Sequence, residues 1–276
     1  MEIEITKELF EENVPAAKMP DRNASVFNRM KEMFNIAYDD MIERLVSGSC
    51  ESAVNEQAVL KRWCIRLVCL DAFIRTCRSQ DLVLTSTGFG IVSTPSTAPA
   101  SRARVDALIE EMSIERIITK DHIIRILMQI PEWGSTKQAK DNVSTLFYSP
   151  DQLQRMTSLA LTTDNWQRTL GRAVTADTLL RKEISHEYMD DLLTKLRTNT
   201  LENEDREVVT GCLRFMADFI SQPNTPIPNR KMLEPIVEIL ESCPQKYPCY
   251  QESSLYKMRH AERYRNRKED PTFFFM

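Results

Sequence analysis

Glycine is scarce in this chain: six residues in 276, alongside three histidines and three tryptophans. The scarcity removes the loops that cradle phosphates. No G-x-x-x-x-G-K-[ST] is present, no G-x-G-x-x-G follows a strand pattern, and no G-x-S-x-G elbow occurs. His122, His186 and His260 lie far apart and lack an H-x-x-x-H or H-E-x-x-H partner, so they read as surface or helix-end histidines. The seven cysteines include no C-x-x-C. Their nearest pairs are Cys64/Cys69 and Cys243/Cys249, and reduced, mostly buried thiols are the expectation. No apolar run approaches the ~18 residues of a membrane span. The opening MEIEITKELFEENV lacks the apolar stretch of a secretory signal. A net charge of −4 and a pI near 5.6 are the wrong sign for a nucleic-acid binder working by bulk electrostatics.

What is there is helical periodicity. Val26, Met30, Met33, Phe34, Ala37, Met41, Ile42 and Leu45 follow a 3.6-residue spacing that Gly48 closes. The segment 63-WCIRLVCLDAFI-74 is apolar on nearly every face, which places it at the centre of a bundle. Residues 1–20 read as an irregular or strand-like arm, 102–113 as a helix capped by Ser101 with another after Asp121, and 131–138 as a loop with Trp133 half exposed. Further helices are expected at 151–161, 164–181, 184–197, 204–221 and 230–242. The adjacent acids Asp39-Asp40 and Asp190-Asp191 point about 100° apart on a helix, cannot form a cleft pair, and read as solvated or first-turn acids.

Three blocks recur in the same order. Residues 39–45 (DDMIERL) match 190–196 (DDLLTKL), 67–74 (LVCLDAFI) match 213–220 (LRFMADFI), and 102–112 (RARVDALIEEM) match 230–240 (RKMLEPIVEIL). The expected fold is all-α: two similar helical units packed as a bundle. The first unit is 1–120, the second 121–250, and 251–276 form a basic C-terminal helix with an aromatic tail. The copies differ in one place. Twenty-nine positions separate Phe73 from Arg102, but only eleven separate Phe219 from Arg230. The surplus is an extended, β-like arm at 81–99, where LVLTST and FGIVST read as two short strands about a turn. Core packing does not require an insertion between core helices, and such loops commonly carry binding. Gly88, Phe89, Gly90 and Ile91 are therefore candidate partner-binding residues.

The C-terminus is the other candidate. A basic stretch, 255-LYKMRHAERYRNRK-268, runs into 271-PTFFFM-276. Pro271 sends the chain out extended, so Phe273, Phe274 and Phe275 alternate sides and do not all fit one groove. Docking on a neighbouring subunit, folding back on the chain's own core and contact of the basic face with nucleic acid are open readings. Docking makes the three rings candidate partner-binding residues. No catalytic, cofactor or metal residues are identified, and no enzyme is expected.

The pattern L-T-x-x-G-F-G-I-V-S, a polar spacer, then A-P-A-S-x-x-R-V-D-A-L is carried here by Leu84, Thr85, Gly88–Ser93, and Ala98–Ser101 with Arg104–Leu108. It resembles an uncharacterised family encoded among head and tail genes of tailed phages and prophages of gut-type Bacteroidetes. The likeness is sharp over 81–108 and loose elsewhere, and EISHEYMDDLL in the second half is also similar. It implies a virion structural protein, a head–tail connector or adaptor, present in the bacterial cytoplasm before assembly. The partners it implies are other copies in a ring and other virion proteins, without direct nucleic-acid contact, membrane or small-molecule substrate. An intracellular protein-binding regulatory or scaffolding module is the alternative, and an enzyme with a dispersed site is a third class.

Overall fold

The first described element is a helix and not an extended arm. The computed structural model describes residues 4–14, 24–78, 82–85, 88–91 and 101–261. Helix α1, Lys7–Asn13, begins because Thr6 stands at its N-cap, its Oγ1 accepting from the Leu9 N–H at 3.2 Å. Its fully buried Phe10 packs 5.5 Å, ring to ring, from Phe34 and 6.4 Å from Phe73. Helix α2, Ala24–Met41, runs into a π-helical turn, Ile42–Val46. The turn ends at Ser47, whose φ of 78° is a conformation rarely taken by a side chain-bearing residue. Helix α3, Glu51–Glu56, leads to α4, Ala58–Cys77, which buries Leu60, Cys64, Leu67, Val68, Cys69, Leu70, Ala72 and Phe73. Those eight buried positions place it at the centre of the first core, while Val59, Arg62 and Arg75 stay exposed.

Strands β1, Leu82–Thr85, and β2, Gly88–Ile91, pair antiparallel from Leu82↔Ile91 to Thr85↔Gly88. Helix α5, Arg102–Leu127, then runs unbroken. The sequence pattern divides this helix because the run 110-EEMSIE-115 interrupts its apolar period. No glycine or proline stops it, however, and α4 supports it from the side. Arg78–Asp106 at 2.9 Å, Arg116–Asp71 at 2.8 Å and the Trp63–His122 stack at 4.4 Å show the two helices running antiparallel. Ser101 precedes α5 as expected, but its side chain makes no capping bond.

Short helices α6, Pro131–Gly134, and α7, Lys137–Asn142, occupy the stretch expected to be a loop. After them come α8 (Pro150–Met156), α9 (Thr163–Glu183), α10 (His186–Arg197), α11 (Asn203–Ser221), α12 (Glu234–Ser242), α13 (Pro248–Gln251) and α14 (Ser254–Arg259). The start of α8 is fixed by a capping box of Ser149 and Gln152. Helix α10 ends in a Schellman arrangement: Asn199 has φ 54°, and the Thr200 and Asn199 N–H groups donate to the Lys195 and Leu196 carbonyls.

The fold is all-α, with a two-stranded ribbon among the described residues. Its buried apolar residues fall into two clusters. One runs from Ile5 to Val143 and the other from Leu146 to Tyr250, so a division at 120 falls inside α5. The last part of the first cluster, α6 and α7, is firmly seated. Trp133 is fully buried, not half exposed, because α6 turns its ring inward and its Nε1–H donates to the Leu45 carbonyl at 2.8 Å. Gln138 and Asn142 donate to the Glu43 and Arg44 carbonyls at 2.7 and 2.8 Å. These three side chains satisfy carbonyls at the end of the π turn that lack helical partners. On the other side, buried Arg197 of α10 donates through Nε and Nη2 to the Val143 carbonyl at 3.0 and 2.8 Å. Gly134 is a close-approach glycine: a Cβ there would stand 2.7 Å from Thr198 Cγ2 and 3.0 Å from the Arg197 carbonyl.

Candidate interaction sites

The arm joins the C-terminal end of α4 to the N-terminal end of α5, and the Arg78–Asp106 ion pair spans those two ends. The strand register sorts its positions. Along paired strands, positions 82, 84, 89 and 91 share one face of the ribbon, and 83, 85, 88 and 90 share the other. The first set is Leu, Leu, Phe, Ile and the second Val, Thr, Gly, Gly. Of the residues expected to bind a partner, Phe89 and Ile91 therefore belong to the large apolar set, and Gly88 and Gly90 to the small one. Phe273, Phe274 and Phe275 lie outside the described residues.

The last described helix is tied to the second core. Arg259 donates to the Glu183 carbonyl at 2.6 Å, and the Ser254 N–H to Glu187 Oε1 at 3.1 Å. His260 Nε2 lies 2.7 Å from Glu241 Oε2. Bonds from Ser254 and Ser185 hold the Glu187 carboxyl well below its usual range, at about 2.

A groove of about 400 Å³ lies between the two cores, walled by α2, α4 and α5 on one side and α9 on the other. Its charged lining forms a ladder that alternates in sign. Arg44 meets Asp40 at 3.5 Å and Asp40 meets Arg75 at 2.5 Å; Arg75 meets Asp71 at 2.6 Å and Asp71 meets Arg116 at 2.8 Å. Lys120, one turn beyond Arg116 on α5, also lines the groove and a smaller cavity of about 180 Å³ that continues past it. Lys120 forms no ion pair among the described residues. Its ammonium, though open to solvent, is held below the ordinary lysine value, first by the surrounding protein and then by Arg116. The sequence pattern missed this site because its members sit on four helices. The signals within reach were the i,i+4 pair Asp71/Arg75 and the like-charged i,i+4 pair Arg116/Lys120.

Of the paired acids, Asp39 is exposed as expected, and the other three have partners. Asp40 belongs to the ladder, Asp190 takes Arg181 at 2.6 Å, and Asp191 takes Lys195 at 2.8 Å. Of the seven free thiols, Cys50, Cys64, Cys69 and Cys212 are buried and Cys243 is exposed. Burial pushes Cys64, Cys69 and Cys212 up to about 12, which removes them as nucleophiles. Half-buried His122 stacks on Trp63, His186 is exposed, and His260 faces Glu241. No group of three or more His, Cys, Asp or Glu side chains among the described residues is placed to hold a metal ion, and none of their helices is long and apolar enough to cross a membrane.

Residues 25–143 match the model of a family of unknown function, DUF6712. The matched stretch ends at the last residue of the first hydrophobic cluster, Val143. No curated protein matches the chain. No solved structure matches it either.

Proposed function

We propose that this chain is a non-enzymatic structural subunit, a head–tail connector or adaptor of a tailed phage or prophage, that assembles through its arm. The carrying observation is the ribbon between α4 and α5, whose register collects Leu82, Leu84, Phe89 and Ile91 on one face. A two-stranded ribbon is marginal in water by itself and gains stability when an apolar face is covered. Two tightly packed helices hold its base, so it can reach a neighbour without loosening the frame. Neighbours in a ring make heterologous contacts that close on themselves, and an arm laid on the next subunit is one such contact. The assignment to virions rests on the resemblance across 81–108.

The same reading takes the frame as two similar helical units, with α2, α4 and α5 matched by α10, α11 and α12. The ends of the first matched pair support it. Ser47, two residues past Leu45, and Asn199, three past Leu196, are the non-glycine residues with positive φ among those described. Each end carries a five-residue back-bond of 2.8 Å, Ser47 N–H to Ile42 and Thr200 N–H to Lys195.

The test is sedimentation at several concentrations, alone and with the portal-type proteins of the same genome. Leu84→Ser with Phe89→Ser is expected to abolish assembly while leaving helix content and unfolding unchanged. Full assembly by the double variant would reject the arm as the contact. A partner bound without any self-association would favour the regulatory-module alternative.

A further inference from the structure

We propose that the groove between the two cores binds an oxyanion carried on an apolar body, with its carboxylate or phosphate head held between Arg116 and Lys120. The six charged residues of the lining are Arg44, Arg75, Arg116 and Lys120 against Asp40 and Asp71, a local excess of two positive charges in a chain of net charge −4. Within the ladder Arg75 is held between two carboxylates. Its ends are not used up. Arg116 makes one bond, to Asp71 at 2.8 Å, and a guanidinium has five N–H donors. Lys120 has no ion-pair partner among the described residues.

Arg116 and Lys120 stand four residues apart on α5, so they are neighbours on one face, and like charges in that relation repel. An anion between them converts the repulsion into two attractive contacts. The pKa of Lys120, lowered by the surrounding protein and then by Arg116 although the side chain is open to solvent, accords with a cation beside a cation at the mouth of a cleft. The opposite wall helps. Thr163 comes from the first turn of α9 and Gln167 from its second, and a helix N-terminus carries positive potential. That turn already receives one carboxylate of the chain: Glu110 accepts from the Thr163 N–H at 2.8 Å and from its Oγ1 at 2.5 Å. Ile117, Trp166 and Leu170 supply apolar wall for the body of the ligand. The volume of about 400 Å³ falls in the range of small-ligand sites.

The experiment is isothermal titration of the full chain with benzoate, phenyl phosphate and benzyl alcohol at fixed ionic strength. One saturable site for at least one anion is expected, and none for the alcohol; the tighter anion identifies the head group. Lys120→Gln should weaken that site tenfold or more, Lys120→Arg should keep it, and Lys182→Gln, an exposed lysine of α9 outside the groove, should match the parent. Equal unfolding midpoints for the Lys120 variants check that the frame is intact. Absence of saturable binding by either anion, equal binding of benzyl alcohol, or unchanged affinity in Lys120→Gln would overturn the proposal.

Discussion

The α4-to-α5 connection and the α11-to-α12 connection join corresponding positions of the repeated blocks, and they are built in opposite ways. The second is short and pinned. Arg172 of α9 lays its guanidinium 3.7 Å from the centre of the Phe219 ring and donates to the carbonyls of Phe219, Gln222 and Thr225 at 2.5, 2.9 and 3.1 Å. One side chain thus satisfies the end of α11 and the turn after it, as orphan helix carbonyls require. The first connection carries a ribbon whose base is crossed by a pair with both members largely exposed, Arg78 and Asp106. Exposed pairs of this kind contribute little. The comparison teaches that one guanidinium on three carbonyls holds the short connection, while an exposed ion pair joins the described ends of the longer one.

Four measurements can break or sharpen that comparison. The largest effect is expected at α6, in the last part of the first core. Trp133→Ala removes a fully buried ring and its bond to the Leu45 carbonyl, and should lower stability by about 3–5 kcal/mol in chemical denaturation. A loss under about 1 kcal/mol would mean that the first core does not depend on α6. Next is Arg172→Ala, expected to cost about 1.5–3 kcal/mol through lost charge-assisted bonds, with Arg172→Lys recovering only part because an ammonium lacks the planar group that lies over Phe219 and the Nε–H donor. Equal stability of Arg172→Ala and parent would erase the contrast. Replacing 82–91 by a Gly/Ser linker should change stability by only about 1 kcal/mol, while a molten or insoluble product would show the arm to be core.

The smallest effect concerns α14, and its sign follows from Glu187. Its folded pKa, about 2, lies below the ordinary glutamate value of about 4.5, so the stabilisation is complete above about 4.5 and is lost as pH falls towards 2. The protection factor of the Ser254 amide, its intrinsic exchange rate at each pH divided by the observed one, should fall across that window in the parent and be low throughout in Glu187→Gln. A pH-independent protection factor in the parent would detach α14 from this carboxylate.

Much of the frame was legible because burial writes itself as periodicity. Cys64, Leu67, Val68, Phe73, Phe215 and Phe219 all stand where a 3.6-residue repeat puts them, and all are buried. Proline and serine starts did the same for α8. The misreadings have physical reasons. Thr6 and Phe10 make α1 a helix of seven residues, too short to show a period and stabilised by packing on Phe34 and Phe73. Trp133 sits in a stretch that looks like a loop, and only the tertiary acceptor at Leu45 brings it inside. The groove was illegible because Asp40, Asp71, Arg116 and Thr163 meet only after four helices pack, and an unpaired lysine is not distinguishable in sequence from any solvated one.

The antiparallel packing of α4 and α5 also decides how the molecule would meet a mechanical load. The arm leaves from one end of this helix pair, so a tug on it arrives at two neighbouring helix ends together and in the same direction. Such a load does not unzip α4 from α5. It drags both past their surroundings, where Phe73 lies against Phe10 in the first core, Arg75 holds Asp40 at 2.5 Å, and Glu110 holds Thr163 at the start of α9. Contacts loaded in this way share the strain in parallel and do not fail in sequence. A pull on these two helix ends is therefore expected to load contacts with both cores together, Phe73 on Phe10 in the first and Glu110 on Thr163 at the second.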